Sequence, residues 1–427
     1  HVRSRRQRQM CIRDSNKGEE CISKIQHWDM ALLKPSDWRG KWIGLDNERI
    51  PEDEHGRTTV PACYLRKEFR VNAPVKRAML YVCGLGSSYF YINGQAISDD
   101  VFGPLPTLYD KTTMFLTYDV TKLLDEGINV IGGALGNGRY CGLRGIGYPL
   151  HFGLPTLIAQ LVIENDAGKL VVVSDETWKV TNKGPIRANN EFDGEIYDAR
   201  MELGDWTKSG YDDSGWQKVD IMSAPTQMLC AQTSPCIKVM EEIVPISIKK
   251  VDKNRCIIDM GQNMAGWLKV SLKGKKGQPV TLRFAESLQA EGDELYVANL
   301  RTAKSTDVYI PAQDGNFKWE PIFVYHGFRF VEVSGVDYTP SVSDFTGKVI
   351  YDQMRTIGSF ECSNILLNQI YTNAYWGIRG NYRGMPTDCP QRDERMGWLG
   401  DRTTGAYGES FIFNNALLYN KWLMDIQ

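Results

Sequence analysis

The residues of this chain best equipped for chemistry lie together near its C-terminal end, in Thr387-Asp388-Cys389-Pro390-Gln391-Arg392-Asp393-Glu394-Arg395-Met396-Gly397-Trp398-Leu399-Gly400-Asp401-Arg402. Carboxylates at Asp388, Asp393, Glu394 and Asp401 are interleaved with guanidiniums at Arg392, Arg395 and Arg402, and Pro390, Gly397 and Gly400 forbid one continuous helix. The composition suits a structured polar loop that aims several carboxylates at one point. Two carboxylates held in different environments are what general acid/base cleavage of a glycosidic bond requires. A solvated surface or a salt-bridge network has the same composition. Trp398 and the fixed bends favour a shaped site, because a solvated charge run needs neither. Cys389 has no His near it in sequence and reads as a packing residue.

The rest of the composition narrows the ligand. Across 427 residues, 50 basic and 52 acidic side chains leave a net charge of -2, so nothing electrostatic favours nucleic acid or an anionic membrane. A neutral ligand fits better, and 11 Trp and 20 Tyr suit a sugar-handling protein, since aromatic faces stack on pyranose rings. The ten cysteines (11, 21, 63, 83, 141, 230, 236, 256, 362 and 389) form no CxxC pair and stand near no His at zinc-ligand spacing, so no metal and no cofactor is expected. Dispersed cysteines in a chain of this size read as free thiols. No stretch approaches the roughly 18 apolar residues of a membrane span, and no signal peptide is visible. The compartment (periplasmic, secreted or cytoplasmic) and the oligomeric state, a homo-oligomer included, stay open.

The elements that must position the loop follow from periodicity. Residues 1–30 begin with an arginine-rich run, and Met10–Ser15 looks like a translated sequencing adapter, so an artefactual or disordered tail is expected there, with a basic interaction arm as the alternative. Residues 31–228 then read as a β-sandwich. Alternating runs at 64–71, 78–83, 88–92, 114–120, 128–135, 156–164, 170–174 and 178–181 are separated by turns, of which Asn93-Gly94 is the strongest hairpin signal. The acidic Asn190–Arg200 loop and Tyr211–Ser214, flanked by Trp206 and Trp216, could take sugar or calcium. Asp-rich turns between strands are common, however, and no EF-hand-like loop ending in Glu is present. After a linker at 225–235, runs at 256–260, 268–272, 280–285, 306–310 and 327–333 predict a second sandwich over 229–355. Its interior loop, 286–304, is too long for a hairpin and reads as functional or mobile. From 356 the period becomes helical. Ser363 or Asn364 caps a helix carrying Leu367, Ile370, Ala374 and Ile378, and a second pattern runs from about Thr404 through Phe411, Leu417, Leu418, Trp422 and Ile426. That pattern stops at Gln427 with an apolar face unpacked, which predicts a helical domain cut short.

Asp388 to Asp401 strongly resembles the catalytic motif of the bacterial α-L-rhamnosidases, glycoside hydrolase family 78, over a long and nearly gap-free match. Trp38–Gly44, the hairpin around Gly94, Trp178, Asp259–Asn263, Asn299-Leu300-Arg301 and His326–Val333 are similar to the same family. The resemblance implies a mainly β multidomain chain: a jelly-roll-like sandwich, a second antiparallel β-sandwich, and at 356–427 the first helices of a truncated (α/α)6 barrel. It implies that terminal α-L-rhamnose is removed from a glycoside or polysaccharide with inversion, Glu394 acting as general acid. It places Asp388, Arg392 and Asp401 on rhamnose hydroxyls, where charged groups give the stronger hydrogen bonds, and Trp398 on a wall of the sugar pocket. Asp393 and Arg395 read as supports that brace the loop. A general acid must be protonated near neutral pH; Asp393, with Asp388 or Asp401, would disfavour a further charge while Arg392 and Arg395 would oppose that, and the sequence leaves the sign open. The family's base lies later in the barrel, so the chain as given is expected to be inactive alone. The competing expectations are a carbohydrate-binding β-sandwich protein without catalysis, or a related glycosidase acting on another sugar.

Overall fold

The computed structural model describes residues 31–46, 60–142, 151–226 and 228–427, together with strand backbone at Ile12–Asp14 and Glu20–Ile22, which pair antiparallel. The expectation of an artefactual tail falls otherwise on residues outside those described.

The chain is mainly β. Its first half builds two sheets face to face. One places Cys63–Val71 and Ser87–Ile92 on either side of Gly127–Gly136, and the other centres on Arg77–Leu85 between Thr112–Asp119 and Thr156–Asn165. Alternation decides which side chains meet: Leu65, Phe90 and Ile131 from one sheet share a core with Leu80, Val82, Leu157 and Leu161 from the other. Asn93-Gly94 makes the tight turn its residues predict. Both take positive φ (51° and 84°), and Ile92 pairs with Gln95 across them.

The second β region is one continuous sheet over one core. Its axis is the 20-residue strand Arg255–Gly274, which changes partners along its length. It pairs with His326–Ser334 first, then with Phe345–Asp352 and Gly315–Trp319, after a register shift between Asp259 and Met264. Segments that precede residue 229 join this sheet: Gly194–Asp198 runs parallel to Thr306–Ile310, and Asp100–Val101 pairs with Ile237–Ile243. The first region is thereby stitched into the second.

Helix α1 (Ile365–Arg379) starts at Asn364, whose side chain accepts from the amides of Leu366 and Leu367. The pattern predicted as one helix from about 404 to 426 is instead two, α2 (Leu399–Ile412) and α3 (Ala416–Ile426). The backbone between them bonds outward rather than along a helix axis: Ile412 O accepts from Ile357 N at 2.7 Å, and Asn414 N donates to Arg355 O at 2.9 Å. This turns Phe413 into the core of the second β region beside Tyr382. Burial of a ring there outweighs continuation of one helix. Among the described residues, no helix is long and apolar enough to cross a membrane, and the eight described cysteines form no disulfide with one another.

Candidate active site

The loop from Asn381 to Trp398 joins α1 to α2, and its shape is imposed from below. Gly384 takes φ 73° and donates its amide to both oxygens of buried Asp352, at 3.0 and 2.9 Å. Burial pushes the Asp352 carboxyl up to about 6 against the pull of that amide and of Arg383 and Lys421. Thr387 hydroxyl donates to Asn381 O, Arg402 donates to Thr387 O, and Arg402 also meets Glu409 at 2.7 Å. Gly327 lets the loop lie on the sheet: a Cβ there would sit 2.7 Å from Pro390 Cγ and 3.0 Å from Gln391 N.

Arg395 pins the loop. Its side chain is fully buried and its backbone takes φ 51°, outside the usual range for a side-chain-bearing residue. The guanidinium donates to Glu191 O at 2.6 Å, Tyr325 O at 3.0 Å, Arg392 O at 3.1 Å and Gln391 O at 3.3 Å, and packs on the rings of Tyr325 and Phe192. Glu191 and Phe192 come from the hairpin that the first half of the chain lends to the second sheet. Arg139, from the first half as well, donates to Arg395 O and pairs with Glu191. Asp393 accepts from Thr302.

On this support Glu394 stands 9% exposed with both oxygens engaged. Its Oε1 accepts from the Trp398 indole at 2.8 Å; its Oε2 lies 3.0 Å from Arg392 Nε and 2.9 Å from Arg301 Nη1. Asp388 Oδ1 accepts from Met396 N at 2.6 Å, and its Oδ2 lies 3.3 Å from Arg392 Nη2, so Arg392 bridges the two carboxylates. Burial works against charge on Glu394, but Trp398, Arg392 and Arg301 outweigh it and hold the carboxyl below the usual glutamate range. Asp388, Cys389 and Glu394 bring potential ligand atoms within 4.8 Å of one another. Burial and the neighbouring Asp388 push the Cys389 thiol up to about 12, so it stays protonated. With arginines already on the carboxylates, this donor set suits hydroxyl recognition better than a cation.

The structure therefore gathers Asp388, Arg392, Glu394 and Trp398 into one hydrogen-bonded group, with Arg395 and Asp393 beneath and beside it. Asp401 lies apart: it is exposed in the first turn of α2 and, among the described residues, has no hydrogen bond to the group. Trp398, 38% exposed, is the residue from which α2 starts. Sequence reasoning did not place Arg301 in the site. It projects from the long 286–304 loop at φ 57°, with its side chain 43% exposed. Glu286 steadies that loop by accepting from Asn299 and from Asn263 of the Arg255–Gly274 strand. The length of the loop and the Asn299-Leu300-Arg301 similarity were its only signals.

Three family profiles match in series: an α-L-rhamnosidase N-terminal domain at 73–241, a bacterial α-L-rhamnosidase concanavalin-like domain at 249–351, and a bacterial α-L-rhamnosidase six-hairpin glycosidase domain at 355–427. An α-L-rhamnosidase from Formosa agariphila is 39% identical over 410 residues, covering 94% of this chain and 43% of that protein. One from Alteromonas sp. is 38% identical over 394 residues, covering 91% of this chain and 43% of its own length. Among solved structures, α-L-rhamnosidase from Dictyoglumus thermophilum superposes with a TM-score of 0.89 at 37% identity, covering 96% of this chain and 47% of that one. The Streptomyces avermitilis enzyme, solved with L-rhamnose, gives 0.83 at 31% identity, covering 97% and 42%. The chain thus spans less than half the length of each of these relatives.

Proposed function

The chain belongs to the bacterial α-L-rhamnosidases of glycoside hydrolase family 78, and from that membership we propose that it supplies the β-domains and the acid-bearing loop of an enzyme that releases terminal α-L-rhamnose from glycosides or polysaccharides. The observation that carries the reading is Glu394, a largely buried carboxyl fixed in direction by Trp398, Arg392 and Arg301. In this reading Glu394 gives its proton to the glycosidic oxygen as the sugar–oxygen bond breaks. Asp388 and Arg392 bind sugar hydroxyls, the exposed face of Trp398 stacks on the ring, and Asp401 reaches a hydroxyl from the first turn of α2.

Inversion needs a second carboxylate about 6.5–9.5 Å from the acid, with room for the attacking water. We assign that base to the part of the relatives' length that this chain does not span. The same assignment accounts for the protonation of Glu394. As the loop stands, its neighbours favour the carboxylate. A second carboxylate nearby disfavours that charge, and a bound glycoside that draws the half-exposed Arg301 away removes a cation, so completion of the site moves Glu394 toward the acid form.

The test is hydrolysis of an aryl α-L-rhamnoside by a protein that carries this sequence at the relatives' full length, beside a panel of other aryl glycosides. Rhamnoside turnover that collapses in Glu394→Gln is expected. Near-normal turnover by that variant, or a preference for another sugar, would remove the assignment.

A further inference from the structure

Arg301 reaches the Glu394 group from the second β region, and the chain is tied down on both sides of it. Asn299 donates to Glu286 at 3.2 Å, Leu300 is buried in a small core with Phe192 and Ala303, and Thr302 donates to Asp393. Between these anchors the Arg301 backbone takes φ 57° and ψ -112°, an unfavourable conformation for a residue with a side chain. Strain of this kind persists where the surroundings impose it. Here it aims a guanidinium, 43% exposed, at the Glu394 carboxyl.

The lone pairs of that carboxyl are unevenly taken. Oε2 faces two donors, Arg392 Nε at 3.0 Å and Arg301 Nη1 at 2.9 Å, whereas Oε1 faces one, the Trp398 indole at 2.8 Å. A carboxylate oxygen accepts at two positions, so the guanidiniums fill Oε2, and a proton on either oxygen removes the charge that holds them. The two arginines differ in what they keep. Arg392 retains Asp388, whose Oδ2 lies 3.3 Å from its Nη2. The Arg301 side chain has Glu394 as its one partner among the described residues. Once Glu394 carries a proton, Arg301 is a half-exposed cation without a counter-charge, beside the carboxyl that would deliver the proton.

An oxygen that receives a proton from Glu394 lies about 3 Å from it, and therefore within about 6 Å of the Arg301 guanidinium. The first unit beyond that oxygen is within reach of Arg301. A base on the opposite face of the sugar, about 6.5–9.5 Å from the acid, is too distant to pair with it. Asp388, Arg392 and Trp398, the residues read as holding the rhamnose, all come from the Asn381–Trp398 loop, and Arg301 bonds none of them.

We propose that Arg301 is the specificity residue of the leaving-group side, where it exchanges Glu394 for an anion on the departing sugar, a uronate carboxylate or a sulfate ester. Its planar fork suits either group through paired hydrogen bonds. The anion binding follows from the placement of Arg301; its position on the leaving-group side rests on the reading of Glu394 as the acid.

Two measurements test it. Calorimetric titration of the 427-residue chain at low salt uses methyl β-D-glucuronide, methyl glucoside 6-sulfate and, as the neutral control, methyl glucoside. Glu394→Gln frees Arg301 and is expected to tighten binding of at least one anionic probe tenfold or more over the parent, with the neutral probe unchanged. The gain is expected to vanish in Glu394→Gln/Arg301→Ala with the fold unchanged by circular dichroism, and the two anionic probes tell carboxylate from sulfate. In a protein of the relatives' full length, kcat/KM for a rhamnosyl glucuronate is expected to exceed that for its methyl ester at least tenfold, and the ratio to fall to about one in Arg301→Ala. No gain in Glu394→Gln, a gain that survives removal of Arg301, or a ratio that Arg301→Ala leaves unchanged would overturn the proposal. Anion binding gained through Arg301 without turnover of any rhamnoside would uphold the anion site and remove the rhamnosidase reading and with it the leaving-group placement; rhamnoside turnover without that gain would do the reverse.

Discussion

Glu394 sits under opposed influences, burial disfavouring its charge and Trp398, Arg392 and Arg301 favouring it, and the second set prevails. Removing one cation should therefore raise its pKa. In a protein of the relatives' full length, Arg301→Ala should move the alkaline limb of the kcat/KM profile to higher pH, because the general acid keeps its proton longer; an unmoved or lowered limb would contradict the coupling. The same depression ties Glu394 to stability: its contribution is present above the ordinary glutamate value of 4.5 and is lost as pH falls through the folded value, so Arg301→Ala should flatten the acid-side loss. Glu195 has the opposite sign. Its folded pKa of about 8 lies above its ordinary value of 4.5, so its contribution is fully present below 4.5 and is lost as pH rises through 8. Thermal melts between pH 5 and 8 should show parent stability falling relative to Glu195→Gln as pH rises, and a constant difference would count against a raised pKa. At this scale the sequence carried the residue types but not their balance. Arg392 follows from its place beside Glu394, whereas Arg301 reaches it from 93 positions earlier through a left-handed backbone turn that no local pattern announces.

The Asn381–Trp398 loop owes its shape to elements far away in sequence. Arg395 bonds backbone carbonyls of Glu191, Tyr325, Gln391 and Arg392, so Arg395→Met should leave those acceptors buried and unsatisfied and cost about 3 kcal/mol, measured by denaturant unfolding. Gly327→Ala should be a milder lesion of the same contact, shifting Pro390 and Gln391 off the sheet and lowering activity more than stability. Short-range signals were legible where a local rule decides the outcome: the Asn93-Gly94 hairpin, the Asn364 cap, the alternation that faces Leu65 and Leu80 into one core. They failed where tertiary contacts decide. The α2–α3 break at Phe413 follows from the pull of the second core on one ring and from the amides of Ile357 and Asn414 pairing across segments, which helical periodicity cannot register. The threading of Gly194–Asp198 and Asp100–Val101 into the second sheet is likewise a matter of topology.

Across the whole molecule, the helices present apolar side chains to solvent, with Ile365, Leu366, Tyr407, Phe411 and Met424 each more than 60% exposed. Apolar side chains exposed on all three helices mark a surface that packs against something. If the remaining length of the relatives covers it, the 427-residue chain should bind a hydrophobic dye and self-associate with rising concentration, while a full-length protein should do neither; equal behaviour of the two would contradict that covering. The fold class and the placing of Asp388, Arg392, Glu394 and Trp398 together were legible because one long motif carries them. The cavity between the two β regions was not, since its walls, Tyr64, Trp206 and Trp319 among them, come from segments that meet only in the folded chain. The central claim, that Glu394 protonates the departing oxygen, is tested most directly by leaving-group dependence in a full-length protein and its Glu394→Gln variant. Dinitrophenyl α-L-rhamnoside, which needs no proton to leave, should lose little of its turnover, while a rhamnoside of an aliphatic alcohol should lose about 10²-fold or more. Equal losses on both substrates would contradict the account.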